Sequence, residues 1–288
     1  MRNARIVAAF SLRESLRRRV FLVVALLTVA FLGLYGLGVW QGFRSLNANG
    51  NGNAPDLAGV DTATVAAATL LGLAMFATMF LGTILAVFLT LGAIRGDAER
   101  GLLQPLLVRP LSRRDLLAGR FGAAAVVCSG YVIAVFLGAT IITWAFGDWW
   151  PDRTLAPALE LAAAVCVLCA LSLAGSVVLS STANGIAIFM VFGAGLTGGL
   201  LGQIAEVIGS GTLDDVATGT SWALPFEALY QSALSHITAD TVGITRLAVD
   251  LGPFGGAEAV GPWLWPYVIG YLAVVGALAL RAFRRRDL

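Results

Sequence analysis

Residues 63–94 read ATVAAATLLGLAMFATMFLGTILAVFLTLGAI, an apolar run that contains no charged side chain. A helix needs about 20 such residues to cross the roughly 30 Å hydrocarbon core of a bilayer, and inside lipid it satisfies its backbone polar groups within the segment. We therefore predict a membrane-spanning helix here. The run is long enough for this helix to tilt or to continue beyond the bilayer.

Five further segments, 18 to 31 residues long, are also apolar enough to span a membrane. They are residues 20–39, 117–147, 158–179, 186–208 and 263–280. The composition agrees, because 58% of the 288 residues are hydrophobic and only 12% are charged, whereas about 25% of a soluble domain is charged. The sequence predicts an all-α membrane protein with six transmembrane helices in a single domain, residues 1–288.

The arginines fix the expected orientation. All 19 basic residues are arginine, and all but Arg44, Arg153 and Arg246 lie in the three segments 2–19, 95–120 and 281–286. Short cytoplasmic loops retain basic residues, and six spans put both termini on one face. We expect these three segments to be cytoplasmic, in the plasma (inner) membrane of a prokaryote.

The absence of certain residue types excludes several chemistries. Without a lysine the chain has neither a phosphate-binding loop of the G-x-x-x-x-G-K-[ST] type nor a Schiff-base amine. One histidine, His236, excludes zinc sites built from several imidazoles; we expect it to be a solvated surface residue rather than a pH sensor. Cys128, Cys166 and Cys169 fall in predicted spans and are expected to pack there. No metal site and no catalytic residue is predicted.

A long segment, residues 209–262, precedes the last predicted span. Six apolar residues in it recur at helical spacing, namely Phe226, Leu229, Tyr230, Ala233, Leu234 and Ile237. Pro225 suits the first turn of this helix, and Thr220 or Ser221 is a candidate cap. The helix is too short to span, so we expect it to lie in the membrane interface or to re-enter partway.

Two acidic residues, Glu160 and Glu206, are predicted near the outer ends of the fourth and fifth spans. An acid at membrane depth is a candidate for a substrate or proton path. The structural alternative is that each side chain extends to water. In the fifth span, Gly195 with Gly199 and Gly198 with Gly202 have the G-x-x-x-G spacing that allows close helix packing, either within the protein or across a dimer.

The most charged connection is residues 95–120, RGDAERGLLQPLLVRPLSRRDLLAGR. Its two parts, 101–108 and 112–120, are each compatible with a short helix, and the Arg109-Pro110 pair separates them. Ser112 is placed to cap the second helix, with Asp115 three positions later. A basic loop that only retained topology would need arginines, but not this ordered alternation of acids, glycine, leucine pair and Arg-Pro.

This connection resembles the cytoplasmic loop of ATP-binding-cassette (ABC) type-2 permeases, whose pattern is approximately E-x-E-x-G-T-L…L-L-x-x-P-x-S-R…G-K. The matching residues are Asp97, Glu99, Gly101, Leu106, Leu107, Pro110, Ser112, Arg113, Gly119 and Arg120. The chain departs from the pattern at Asp97, Leu102 and Arg120, which replace glutamate, threonine and lysine, and Pro105 interrupts it. The likeness covers nearly the full chain, since the six spans, the basic amino-terminal segment and the long last outer loop are all similar to the family.

The resemblance implies a transport subunit of an ABC exporter. Two permease copies, identical or related, would form the pathway, and two separate ATPase subunits carrying ATP and Mg would dock on residues 95–120. No cofactor would bind this chain. The residues implied in docking are Asp97, Glu99, Arg100, Gly101, Leu103, Arg109, Pro110, Ser112, Arg113 and Arg114. Residues 1–19 would form an interfacial elbow helix, membrane lipid would surround the spans, and no nucleic-acid partner is expected.

Two other functions compete with this interpretation. One is an ATP-independent secondary transporter or channel driven by an ion gradient through Glu160 or Glu206. The other is an intramembrane enzyme, which the sequence disfavours because no nucleophile–base pair or metal-ligand cluster falls at membrane depth. Lipids, drugs and peptides are equally compatible substrates.

Overall fold

The protein is a bundle of α-helices. The computed structural model describes residues 19–49, 62–91, 112–238, 261 and 263–285. No strand occurs in these ranges, and the helices are α1 (Arg19–Asn49), α2 (Thr62–Thr90), α3 (Arg113–Gly147), α4 (Leu155–Val178), α5 (Ser181–Ile208), α6 (Gly211–Ala223), α7 (Pro225–Thr238) and α8 (Leu264–Arg284). The predicted all-α fold is confirmed.

Six helices, α1, α2, α3, α4, α5 and α8, are long and apolar enough to cross a membrane. The six predicted spans are therefore confirmed, but most of the helices extend past the predicted limits. For example, α1 continues to Asn49 and α3 begins at Arg113. Hydropathy marks where a segment stops being apolar, whereas backbone hydrogen bonding carries a helix on through polar residues and caps.

Helix α4 forms the centre of the bundle. It packs against α2, α3, α5, α7 and α8, and its Leu161, Val165 and Leu168 are fully buried. At Gly82 of α2 the neighbouring helices approach so closely that a side chain would not fit. A Cβ there would lie 2.6 Å from Val132 and 3.0 Å from Val165. In contrast, α1 and α8 expose long apolar surfaces, as expected for helices whose solvent is lipid.

The bundle has two ends that are used as reference points below. The arginine-rich end is where α3 begins and α8 ends, with Arg113, Arg114, Arg281 and Arg284. The opposite end is where α3 ends and α4 begins.

Helices α6 and α7 form a hairpin in which α6 packs along α5 and α7 packs mainly on α4. Ala217 and Thr220 of α6 contact Gly202 and Gly198 of α5 in antiparallel order, and Phe226 of α7 then contacts Gly195. Because Gly195 precedes the end of α5 by thirteen residues, the hairpin extends along α5 for about 20 Å. A helix over residues 211–223 was not predicted, because its Gly, Asp and Thr residues have weak helix propensity.

The predicted helix after Pro225 is confirmed, and all six residues of its apolar face are buried. The capping prediction is wrong, since Thr220 and Ser221 lie inside α6. There they donate hydrogen bonds to the carbonyls of Val216 and Ala217. The caps were misplaced because the preceding segment is itself helical and ends only one residue before α7 begins.

The close-packing role predicted for the glycines of α5 is confirmed within the protein. A Cβ would lie 2.3 Å from the Phe226 ring at Gly195 and 2.4 Å from Thr220 at Gly198. At Gly199 and Gly202 it would meet Glu227 and Ala217 at 2.3 Å and 3.3 Å. The stripe thus lets the two short helices approach the α5 backbone.

Candidate functional site

The predicted ATPase-docking residues divide into two groups. Those that lie outside the described residues are Asp97, Glu99, Arg100, Gly101, Leu103, Arg109 and Pro110. The structure describes the remaining three, Ser112, Arg113 and Arg114, at the start of α3. The structure therefore shows how this connection enters the bundle.

Ser112 is the N-cap of α3. Its backbone is extended (φ −71°, ψ 143°) and its Oγ accepts a hydrogen bond of 3.1 Å from the backbone N–H of Asp115. The Asp115 carboxylate lies in the first turn, where negative charge is favourable to the helix macrodipole. The cap predicted from the spacing of these two residues is confirmed.

Arg113 bonds to the end of α8. Its Nη1 donates hydrogen bonds to the carbonyls of Phe283 (2.7 Å) and Arg284 (3.3 Å), and its guanidinium carbon lies 5.4 Å from the centre of the Phe283 ring. The last carbonyls of a helix lack partners within the helix, and here a cation supplies one. Arg113 therefore joins the start of α3 to the end of α8, a contact that sequence reasoning missed.

We call the contact of Arg113 with Phe283 and Arg284 the Arg113 junction. A small apolar cluster lies beside it. Phe283 is almost fully buried, and Leu117 of α3, Leu173 and Val177 of α4 and Ala279 of α8 belong to the same cluster. Three helices thus meet at the point where the 95–120 connection enters the bundle. Arg114, the next residue, is exposed.

Glu160 is enclosed near the opposite end. Its side chain is 5% exposed, and α7 covers it. The Oγ of Ser232 donates a hydrogen bond of 2.9 Å to Oε1, and His236 Nε2 lies 3.4 Å from the same oxygen. Oε2 has no hydrogen-bond partner among the described residues. The structural alternative, a side chain extended to water, is wrong for Glu160, because it faces a packed helix.

His236 was expected to be a solvated surface residue, and this expectation is wrong. Ser232 and His236 are four residues apart on α7, so both side chains lie on the helix face that packs on α4. The histidine is 25% exposed and faces Glu160. The sequence contains no local signal for this pairing, since the two residues are far apart in the chain. The side chain of Glu206 lies outside the described residues.

Glu227 is a further buried acid that sequence reasoning missed. It is 1% exposed, and Gln231 Nε2 donates a hydrogen bond of 3.2 Å to its Oε1. The pair lies against the backbone of Gly199. Burial raises the pKa of Glu227 to about 8, so the carboxyl group is mostly protonated at neutral pH. The sequence shows the i, i+4 spacing of Glu227 and Gln231, but it does not show that the pair is buried against α5.

The raised pKa of Glu227 predicts a pH-dependent stability. Between its ordinary value of 4.5 and about 8, the unfolded chain loses a proton that the folded protein keeps, so the free energy of unfolding falls by about 1.4 kcal/mol per pH unit. Below pH 4.5 and above pH 8 this contribution is constant. The Glu227→Gln protein should therefore gain melting temperature relative to wild type as the pH rises from 5 to 8, measured by thermal unfolding in detergent.

The matched control is Asp214→Asn, which changes an exposed acid on α6. Its melting temperature should follow that of the wild type across the pH range. A difference between Glu227→Gln and wild type that is the same at every pH would contradict the prediction.

The C-terminal end of α6 is capped from α8. The hydroxyl of Tyr267 donates a hydrogen bond to the carbonyl of Trp222, and the hydroxyl of Tyr271 donates one of 3.0 Å to the carbonyl of Ala223. These carbonyls end a helix and would otherwise be unpaired. The tip of the hairpin is thus fixed to two neighbouring turns of α8.

The three cysteines lie in α3 and α4. Cys128 and Cys169 are buried, Cys166 is half-buried, and its Sγ is 3.2 Å from the Oγ of Ser129. In the ranges that the structure describes, no group of three or more His, Cys, Asp and Glu side chains is arranged to hold a metal ion.

Comparison with known proteins identifies the class of the chain. Residues 5–288 match the family described as "ABC-2 family transporter protein". The chain is 28% identical to a curated relative from Stutzerimonas stutzeri, "Probable ABC transporter permease protein NosY". The alignment is 301 positions long and covers 97% of each chain. The chain therefore belongs to the ABC-2 transporter family, as a multi-pass membrane protein of the permease type.

Proposed function

We propose that this permease forms the substrate pathway of an ATP-driven exporter as a dimer. Membership of the family implies association with an ABC ATPase subunit. In the proposed complex two ATPase subunits bind ATP and Mg and dock on residues 95–120 of the two permease copies. The observation that carries the proposal, beyond the family, is the Arg113 junction, which joins the docking connection to two spans at once.

The junction gives a path for mechanical coupling. A displacement of residues 95–120 acts on the first turn of α3, which the Ser112 cap holds in helical form. Through Arg113 the same displacement acts on the end of α8. Since α3 has 35 residues, it is about 50 Å long and carries the movement across the whole bundle.

The membrane orientation follows from the distribution of charge. The arginine-rich end is proposed to face the cytoplasm of a prokaryotic cell, with both termini on that side. Helices α6 and α7 then enter from the outer face as a re-entrant hairpin. Two observations support this placement: α7 is buried on nearly all sides, and the α6 carbonyls at the tip are satisfied by Tyr267 and Tyr271. Backbone at membrane depth requires such partners.

The contacts of Glu160 count against the ion-driven alternative. An acid that carries ions or protons needs access from both sides in turn, whereas Glu160 is covered by α7 and accepts a hydrogen bond from Ser232. Its role is to hold α7 on α4. This contact favours a packing role for Glu160, and membership of the family favours the ATP-driven function.

Copurification with ATPase subunits encoded in the same genome tests the proposal. A variant with Asp97→Ala and Glu99→Ala should lose most of the bound ATPase, because these acids are proposed to pair with basic residues of the partner. The control carries Asp214→Ala and Asp215→Ala, which remove two exposed acids at the opposite end and should bind as well as wild type. If no ATPase binds the wild type, or if both variants bind normally, the proposed docking is wrong.

A further inference from the structure

A groove with a volume of about 290 Å³ opens at the arginine-rich end between α3 and α8. Phe121 from α3, Leu173 from α4 and Leu272 and Val275 from α8 contribute to its walls. Leu173 of α4 is the most buried of the lining side chains, at 3% exposed. Gly276 of α8 lines the groove without a side chain and thereby widens it.

Among the residues that the structure describes, one charged side chain lines this groove. It is Arg114, exposed in the first turn of α3, and the other described lining residues are apolar or glycine. The neighbouring Arg113 bonds to the end of α8, so the two helices are held together beside the mouth of the groove. The result is an apolar cleft with a cationic group at the end where the arginine-rich segments lie.

We propose that the groove binds an acyl chain of an anionic phospholipid, with the lipid phosphate paired to Arg114. The charge complementarity is direct, because a guanidinium binds phosphate oxygens bidentately. The site lies at the membrane end where basic residues attract anionic headgroups. An acyl chain fits the apolar walls, and burying it against them is favourable relative to exposing them to water.

A second copy of this chain is a poorer occupant. A helix seated in the groove would need a carboxylate opposite Arg114. Of the described acids in the spans, Asp115 alone lies at this end, and it follows Arg114 in the same turn of α3 and so brings its own arginine with it. The same end of a second copy would bring Arg281, Arg284 and Arg285 towards Arg114, and like charges repel.

The bound lipid adds a component to the Arg113 junction. Its chain lies between α3 and α8, the two helices that Arg113 joins, so it supports their spacing at the point where the docking connection enters.

Native mass spectrometry of the full chain, purified in detergent and supplied with phosphatidylglycerol or phosphatidylcholine, tests the site. The wild type should retain phosphatidylglycerol about fivefold better than phosphatidylcholine. Arg114→Gln should remove this preference. The matched control Arg281→Gln changes another exposed arginine at the same end that does not line the groove, and it should keep the preference.

A second pair of variants tests the apolar part of the groove. A Cβ at Gly276 meets nothing within 4 Å, so Gly276→Leu should fold and fill the cleft, and it should abolish retention of both lipids. Gly270→Leu adds the same bulk to α8 at another open position away from the groove and should retain lipid as the wild type does. This pair decides the question even if Arg114→Gln is poorly folded.

Three results would overturn the proposal. Equal loss of preference in Arg114→Gln and Arg281→Gln would mean diffuse attraction rather than a site. Unchanged retention in Gly276→Leu would place the lipid elsewhere. If the wild type forms a dimer that can be cross-linked through α8 and Gly276→Leu does not, the groove is a contact between two copies.

Discussion

Replacement of Gly195 by alanine is expected to destabilise the protein by about 1–3 kcal/mol, which corresponds to a fall of about 3–10 °C in melting temperature. The added Cβ would lie 2.3 Å from Cζ of Phe226. That ring is fully buried and stacked on Phe192 at a centroid distance of 6.0 Å. It has no free space to move into, so the hairpin must shift away from α5.

A glycine in the same helix provides a control whose expected effect on stability is opposite. At Gly193, two residues earlier, a Cβ meets nothing within 4 Å. Gly193→Ala therefore gains helix propensity without a clash and should be neutral or up to about 1 kcal/mol more stable. Thermal unfolding of both variants in the same detergent gives the comparison, and equal melting temperatures would contradict the packing argument.

A second substitution locates the clash. Phe226→Leu shortens the side chain that faces Gly195, so combining it with Gly195→Ala should recover part of the lost stability relative to the sum of the single variants. Additive losses would show that the two positions do not press on each other.

These glycines also show how far sequence reasoning reached. The G-x-x-x-G spacing predicted close helix approach correctly, because the spacing alone places both glycines on one face of α5. The partner of these glycines, the hairpin of α6 and α7, could not be predicted. Its first half, α6, is rich in Gly, Asp and Thr, and it is helical because it packs against α5 and because Tyr267 and Tyr271 satisfy its last carbonyls. Tertiary contacts overrode local propensity there.

The contacts of the candidate site show the same difference between residues that are near in the chain and residues that are far apart. The Ser112 cap was predicted because donor and acceptor are three residues apart. The bond from Arg113 to Phe283 joins residues 170 positions apart, and the sequence marks both only as part of basic segments. The pairing of Glu160 with Ser232 and His236 has the same long-range character. Local geometry is thus readable from spacing, whereas contacts between distant helices depend on how the bundle packs.

The Arg113 junction is expected to be essential for coupling. Arg113→Ala removes charge-assisted hydrogen bonds to two carbonyls and the cation–π contact with Phe283. Such bonds contribute about 1.5–3 kcal/mol, so local opening of the last turn of α8 should become about tenfold or more frequent. Hydrogen–deuterium exchange of the backbone amides around residues 280–285 measures this directly. Arg281→Ala, which removes an exposed arginine from the same turn, should leave the exchange rate unchanged.

The Arg113→Ala complex distinguishes binding of the ATPase subunit from transmission of its movement to α8. Arg113→Ala changes one of the ten residues implied in docking and leaves the other nine intact. Because Arg113 itself bonds to the end of α8, the ATPase subunit should still copurify. The effect of the permease on the ATP hydrolysis rate of the complex should be lost, because movement of the connection no longer reaches α8. Arg113→Lys should rescue it only partly, since an ammonium does not reproduce the planar fork that stacks on Phe283. Loss of ATPase binding in Arg113→Ala would instead make Arg113 part of the docking surface, and normal coupling with accelerated exchange would exclude α8 from the path.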